Sequence, residues 1–359
     1  MTRIAYFITP HGFGHAARAS AIMDAVNDIL PFVSFEIFST VPEWFFKDSL
    51  ASQFEYHEFL TDIGLVQKTP FLHDLKETID ALDRFIPFDS ALISDTANFL
   101  NRQACRLAIC DISPMGISVA SKAGIPCVLI ENFTWDWIYE AFITSDARIR
   151  RHVDFFREIY QSADYHIQTS PVCNPMVVDM TASPISREIR LSSVRVREML
   201  GISQGMKMVL LTTGGVREKY RFLKNLTAKQ EICFVIPGAG ESPEKYDNLI
   251  LLPYRSGFIH SDLVNAADAV VGKAGYSTIA EVYQAGVPFG YVPRSDFRET
   301  DKLVAFIEKE MKGLRINDEE FKAGKWLPKV DRLLNFTRIP RHDRNGAHQV
   351  AGMIRDILI

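Results

Sequence analysis

Short apolar runs alternate with stretches of helical periodicity along the chain. Residues 4–8 form an apolar run, and 16–30 repeat apolar positions at helical spacing. Further strands are expected at 34–39, 55–59, 106–110, 127–130 and 165–168. Helices are expected over 73–85 and from Ser113-Pro114, where proline suits an early helical position. A polar, proline-bearing stretch follows, and the interdomain linker is expected around 183–192. Beyond it a short helix at 194–200 leads to strands at 208–212, 232–236, 249–252, 269–271 and 289–292. Helices are expected to end at Ala266, to follow Gly275, and to span 300–311. The last helix, 345–359, carries an apolar stripe at Val350, Met353, Ile354 and Leu358. A strand, a glycine-rich turn and a helix at the start of the chain form the opening unit of a doubly wound α/β fold.

A length of 359 residues suits two domains, each able to bury a core. The expected first domain is 1–185, joined by the final helix 345–359, and the second is 193–340. A net charge of −4 and a pI near 6.2 give no support for nucleic-acid binding. The five cysteines (Cys105, Cys110, Cys127, Cys173 and Cys233) show no C-x-x-C pairing and read as reduced core residues of a cytoplasmic protein. The first residues start a strand at once, without a signal-peptide pattern, and no run of eighteen apolar residues exists. Trp44, Phe45 and Phe46 read as part of a helix base, with a peripheral membrane-facing patch as the alternative.

Three glycine turns carry the candidate chemistry. The first, 9–15, contains His11, Gly12, Phe13, Gly14 and His15, with Arg18 on the same side of the helix start as His15. Histidine suits proton transfer near neutral pH, and loops at the carboxyl ends of parallel strands are where such sheets bind ligands. The bland alternative is that His15 caps the helix. The second turn contains Gly214 and Gly215 and precedes another helix. The third is expected at 272–275, Gly272-Lys273-Ala274-Gly275, with Tyr276, Ser277 and Thr278 opening a helix and Glu281 one turn along. A helix amino end offers unpaired N–H groups to an anion, and Glu281 would stand about 5 Å beyond it. A phosphate at the tip and a ribose diol at Glu281 fit that spacing, as does an ordinary crossover with a solvated glutamate. Asp111, at the end of the strand over 106–110, either supports an imidazole or caps the helix before Pro114. An aromatic cluster at 131–139, including Trp135, suits stacking on a sugar ring or core packing. No D-x-D spacing and no Cys/His zinc spacing occurs, so no bound metal is expected.

The stretch 267–301 resembles the nucleotide-binding segment of GT-B glycosyltransferases, through Ala267, Asp268, Gly275, Thr278, Glu281, Gly286, Pro288 and Pro293. It is similar to the peptidoglycan N-acetylglucosaminyltransferase and to UDP-glycosyltransferases acting on small acceptors. A closer likeness is to the N-terminal regions of arabinose kinases. It rests on Gly272, Lys273, Gly275, Tyr276, Thr278, Arg294 and Phe297, and on His11, Gly12, Phe13, Gly14, His15 and Arg18. In those regions a glycine stands where this chain has Pro10.

The resemblance implies a GT-B-like α/β fold, two Rossmann-type parallel-sheet domains facing a cleft. It implies His15 as the base that deprotonates the acceptor, oriented by Asp111, with His11, Gly12, Phe13, Gly14, Arg18 and Trp135 on the acceptor side. Donor binding falls to Gly214, Gly215, Phe258, Lys273, Gly275, Tyr276, Ser277, Thr278, Glu281, Arg294 and Glu299. Asp296 is an alternative to Glu299 for the donor sugar, and Arg217 joins Lys273 and Arg294 as a candidate cation for the diphosphate. The implied activity is metal-independent, inverting transfer from a nucleoside diphosphate sugar, UDP-linked, to an unknown hydroxyl acceptor, with no cofactor. The rivals are a sugar-nucleotide epimerase or hydrolase of the same fold, and a non-catalytic nucleotide-sugar-binding module.

Overall fold

A computed structural model describes residues 2–69, 71–214, 220, 222–295 and 297–359. The chain divides into two units. Met1–Gln67, His73–Ile185 and Arg344–Ile359 form the first, and Lys68–Leu72 with Ser186–Asp343 form the second.

Among the described residues, the first unit is built on seven strands. These are β1 (Thr2–Ile8), β2 (Val33–Ser39), β3 (Phe54–Glu58), β4 (Cys105–Asp111), β5 (Cys127–Glu131), β6 (Tyr165–Thr169) and β7 (Met180–Ala182). They pair in parallel in the order β3-β2-β1-β4-β5-β6-β7. The order reverses between β1 and β4, whose ends are level, with Ile8 opposite Asp111. Such a reversal opens a crevice at the carboxyl ends of the strands. Helix α1 (Phe13–Ile29) follows β1, with Gly12 before it at a φ of 78°. Helix α2 (Pro114–Ala123) follows β4 and is capped by Ser113, whose side chain accepts from the Gly116 N–H. Helix α3 (Trp135–Glu140) follows β5.

The second unit repeats the plan with β8 (Lys207–Thr212), β9 (Ile232–Pro237), β10 (Glu244–Tyr246), β11 (Leu249–Leu252), β12 (Ala269–Lys273), β13 (Phe289–Val292) and β14 (Gly313–Arg315). Their order is β10-β11-β9-β8-β12-β13-β14, parallel except for the edge pair β10–β11. Here the reversal falls between β8 and β12, with Thr212 opposite Gly272. Alternate residues serve opposite faces. Met208, Leu210 and Val270 join one core, while Val209, Leu211, Ala269 and Val271 join the other. A sheet covered on both faces accounts for the unbroken apolar runs in the sequence.

Two expectations are corrected. The strand expected to stop at Val271 runs on through Gly272 and Lys273, because β12 keeps its ladder with β8 to Gly272 and with β13 to Lys273. The turn shrinks to Ala274 and Gly275, and α5 (Tyr276–Ala285) begins directly after it. Helix α1 starts three residues early, which places His15 inside its first turn. Phe45 and Phe46 are buried in the first unit's core with Trp44 packed against it, in keeping with the reading of these rings as a helix base. No helix among the described residues is long and apolar enough to cross a membrane.

The final helix (Gly346–Leu358) buries Val350, Ile354 and Leu358 in the same core as α1, and Met353 packs against it. In the second unit, α5 ends on Gly286 at a φ of 65°. A methyl group there would lie 2.0 Å from the Ile339 carbonyl oxygen, and the Ile339 N–H donates to the Gly286 carbonyl at 2.9 Å. Gly286→Ala therefore meets both left-handed strain and a backbone clash. It is expected to lower stability by about 3 kcal/mol, measured as a lower urea midpoint against the native chain.

Candidate functional site

The carboxyl edge of the first sheet gathers a buried polar cluster. Arg18, on α1 and 1% exposed, donates from Nε to Asp111 Oδ2 at 2.7 Å and from Nη2 to Oδ1 at 2.6 Å. Its Nη1 donates to Asn132 Oδ1 at 2.9 Å and reaches Thr169 Oγ1 at 3.4 Å. One guanidinium thus ties the ends of β4, β5 and β6. His15 Nδ1 stands 2.8 Å from Asp111 Oδ1. Burial alone would raise the Asp111 pKa, but the Arg18 charge and the hydrogen bonds from Arg18 and His15 hold it below the ordinary carboxylate value. Asp111 is therefore ionised and only accepts, which puts the proton of the neutral imidazole on Nδ1 and leaves Nε2 as the basic nitrogen. Burial lowers the His15 pKa, Asp111 opposes it, and the Arg18 charge lowers it further, so the ring is unprotonated at neutral pH.

Both capping alternatives fall away, since the side chains of His15 and Asp111 bond each other while Gly12 and Ser113 occupy the cap positions. Two of the residues expected on the acceptor side are buried. Arg18 bonds Asp111, Asn132 and Thr169 and lies 3.2 Å from His15 Nδ1, so it supports the pair. Trp135 is fully buried, stacked on Tyr139 at 5.7 Å and edge-on to His11 at 5.2 Å, so its faces are covered. His11 Nε2 is 3.0 Å from Gln67 Nε2. Phe13 stacks on Phe45 at 5.1 Å, and Gly14 sits beside His15 in the first turn of α1. A second buried carboxylate, Asp62, accepts from Thr9 Oγ1 at 2.7 Å and is pushed up to about 7 by burial, against hydrogen bonds from Thr9 and Thr61. Neither Asn132 nor Asp62 carried a recognisable motif.

The second sheet edge is built from Gly214, just past β8 at a φ of 71°, Lys273 at the end of β12, and the amino end of α5 at Gly275. A methyl group on Gly214 would lie 3.5 Å from Lys273 Nζ. Burial pushes the Lys273 amine down to about 7, with the nearby Arg294 charge adding to the fall and Glu299 opposing it. Arg294 is itself buried, with its guanidinium carbon 3.8 Å from the centre of the Phe297 ring. Two cations and one carboxylate, Glu299, thus share the ends of β12 and β13 and the start of α6 (Thr300–Glu310). Tyr276 and Thr278 are buried, Ser277 is half-buried, and Phe258 packs against the second unit's core. Gly215, Arg217 and Asp296 lie outside the described residues.

Glu281 is not the solvated glutamate of the ordinary-crossover alternative. It is 4% exposed, accepts from Arg187 Nη2 at 3.2 Å, and is bonded by His260 Nδ1. His260 opens α4 (His260–Ala266). Arg187 and His260 were not singled out, because one lies in the expected linker and the other at a helix start without a motif. Among the described residues, no group of three or more His, Cys, Asp or Glu side chains is arranged to hold a metal ion.

Residues 238–352 match the glycosyltransferase family 28 C-terminal domain. The chain is 26% identical to the L-arabinokinase of Arabidopsis thaliana over 99% of its own length and 34% of that protein. It is 25% identical to the UDP-N-acetylglucosamine--N-acetylmuramyl-(pentapeptide) pyrophosphoryl-undecaprenol N-acetylglucosamine transferase of Bacillus licheniformis, over 49% of each protein. Among solved structures, a UDP-glucosyltransferase from Polygonum tinctorium capable of glucosylating indoxyl superposes with a TM-score of 0.61 at 12% identity. That match covers 99% of this chain and 98% of the other. The chain thus spans half or less of the length of these two curated relatives. The resemblance to GT-B glycosyltransferases holds, and the fold is theirs.

The Arg18–Asp111 pair has a defined pH signature. A carboxylate with a depressed native pKa contributes stability above its unfolded value and loses it as pH falls through the native one. Asp111→Asn leaves Arg18 buried without its counter-charge. It is expected to cost about 3–5 kcal/mol at pH 7. The gap from the native chain should narrow as pH falls below about 4, measured by urea unfolding across that range.

Proposed function

We propose that the protein is a glycosyltransferase that moves a sugar from a nucleoside diphosphate, UDP-linked, to a hydroxyl acceptor with inversion and without a metal. The observation that carries this reading is the buried Arg18–Asp111–His15 array, which leaves one imidazole nitrogen basic at neutral pH. His15 Nε2 takes the acceptor hydroxyl proton as that oxygen attacks the anomeric carbon. The bond from that carbon to the diphosphate oxygen breaks, and the diphosphate leaves with the electron pair. Lys273, Arg294 and the amino end of α5 supply positive charge for it. Glu281 takes the ribose diol, since an ionised carboxylate accepts about four hydrogen bonds and Arg187 and His260 occupy only part of that capacity. The family 28 match over 238–352 and the two transferases named above support a sugar nucleotide as donor.

The likeness to L-arabinokinase along nearly the whole chain favours a second reading, a sugar-nucleotide-binding module without turnover. His15→Ala distinguishes the two. The native chain is screened against UDP-sugars by thermal shift and donor cleavage, with candidate hydroxyl acceptors present. Transfer requires that His15→Ala lose at least about 100-fold in turnover while UDP-sugar affinity is kept. A free sugar formed with no acceptor product points to a hydrolase, and no stabilisation by any nucleotide sugar refutes the donor assignment.

Lys273 supplies an independent check. With its amine near half-charged at pH 7, a bound diphosphate draws in a proton. UDP binding at pH 8 is expected to take up a substantial fraction of one proton, measured by calorimetry in buffers of different ionisation enthalpy. Lys273→Met should abolish the uptake.

A further inference from the structure

Behind the Gly214 turn a chain of hydrogen bonds runs through Thr212 and His260, to which the donor reading gives no role of their own, and ends on Glu281. The Gly214 N–H donates to Thr212 Oγ1 at 3.3 Å. Thr212 Oγ1 lies 3.0 Å from His260 Nε2, and His260 Nδ1 bonds Glu281 Oε2. Arg187 Nη2 holds the other oxygen of Glu281. Thr212 and Glu281 are both buried.

Chemistry gives this chain a direction. Arg187 and His260 hold Glu281 ionised, its pKa lowered although burial opposes this. An ionised carboxylate only accepts, so His260 Nδ1 carries the proton that faces it. In the neutral ring with its proton on Nδ1, Nε2 is an acceptor and the Thr212 hydroxyl donates to it. The lone pairs of the hydroxyl are then free to accept from the Gly214 N–H. Each donor in the series points from the glycine turn toward α5. The series joins the end of β8, the first residue of α4 and the second turn of α5.

We infer that His260 is a positioning residue for the donor. It couples the Gly214 turn to Glu281, so that the diphosphate and nucleoside ends of the ligand are gripped together. The inference rests on the donor reading above and adds to it a residue on which no ligand acts directly. Asn at 260 offers an amide in place of the ring Nδ1–H and keeps the Glu281 end alone. Gln offers one in place of Nε2 and keeps the Thr212 end alone. Thr212→Val removes the hydroxyl link without touching either partner.

The probe is UDP, titrated calorimetrically into the full chain and into His260→Asn, His260→Gln, Thr212→Val and the Thr212→Val/His260→Asn pair. Each single variant is expected to bind about tenfold more weakly, with little change in melting temperature. The double variant should be no weaker than either parent, because both changes cut one link. Unchanged affinity in His260→Asn, or losses that add in the double variant, overturns the coupling while native UDP binding stands. Absence of UDP binding by the native chain overturns the donor reading and this inference with it. Nitrogen NMR of the ligand-free native chain needs no variant to fold. The neutral Nδ1–H tautomer at His260 is expected, and a proton on Nε2, in the other tautomer or in the imidazolium, refutes the relay.

Discussion

The organising interaction of the first unit is a charge buried with its partner. Asp111 ends a central strand where the strand order reverses, a position that burial makes hostile to an ionised carboxylate. Arg18 makes it tenable by meeting both oxygens with two hydrogen bonds, a planar fork matched to a planar acceptor. The same guanidinium reaches Asn132 and Thr169, so the carboxyl ends of three neighbouring strands are fixed relative to α1. The orientation of His15 follows from this arrangement, since Nδ1 of the imidazole faces the ionised Asp111 carboxylate at 2.8 Å. Such a pair adds little net stability over an apolar substitute, but it imposes one geometry.

The two units solve similar problems in different chemistry. Each places its polar groups where the central strands part, β1 from β4 and β8 from β12. The first concentrates a carboxylate and a base, and the second concentrates cations around a helix amino end. In the second, β12 passes so close to β8 that a methyl group at Gly272 would lie 2.0 Å from the Thr212 carbonyl oxygen. That approach keeps Thr212 and Lys273 at one edge, with the hydroxyl turned to His260 and the amine over Gly214.

Much of this was legible in the sequence, and for definable reasons. Strand cores such as 4–8 and 208–212 are apolar on both faces, so their runs are unbroken and easy to read. The glycine turns with His15 and Gly275 combine a backbone requirement with a chemical one, and such joint patterns seldom arise from packing alone. What escaped has a common cause. Arg187, His260, Asn132 and Asp62 act through partners far away in the chain, and no local spacing reports such pairings. Arg18 and Trp135 are visible as residues, but their burial is not. Local sequence says that a side chain stands near a turn, not that its polar edge or its faces are already occupied. The strand end at Lys273 is not legible because glycine reads locally as a turn signal, whereas Gly272 answers to the close passage of a neighbouring strand.

The helix that completes the first unit comes last in the chain. Residues of Gly346–Leu358 fill part of the same core as α1, yet all of Ser186–Asp343 lies between them and the other elements of that unit. A ribosome therefore releases the second unit whole before the first can close its interior. Until then the face of α1 that awaits Val350, Ile354 and Leu358 stays exposed to the cell, a stage at which chaperone binding or misassociation would act.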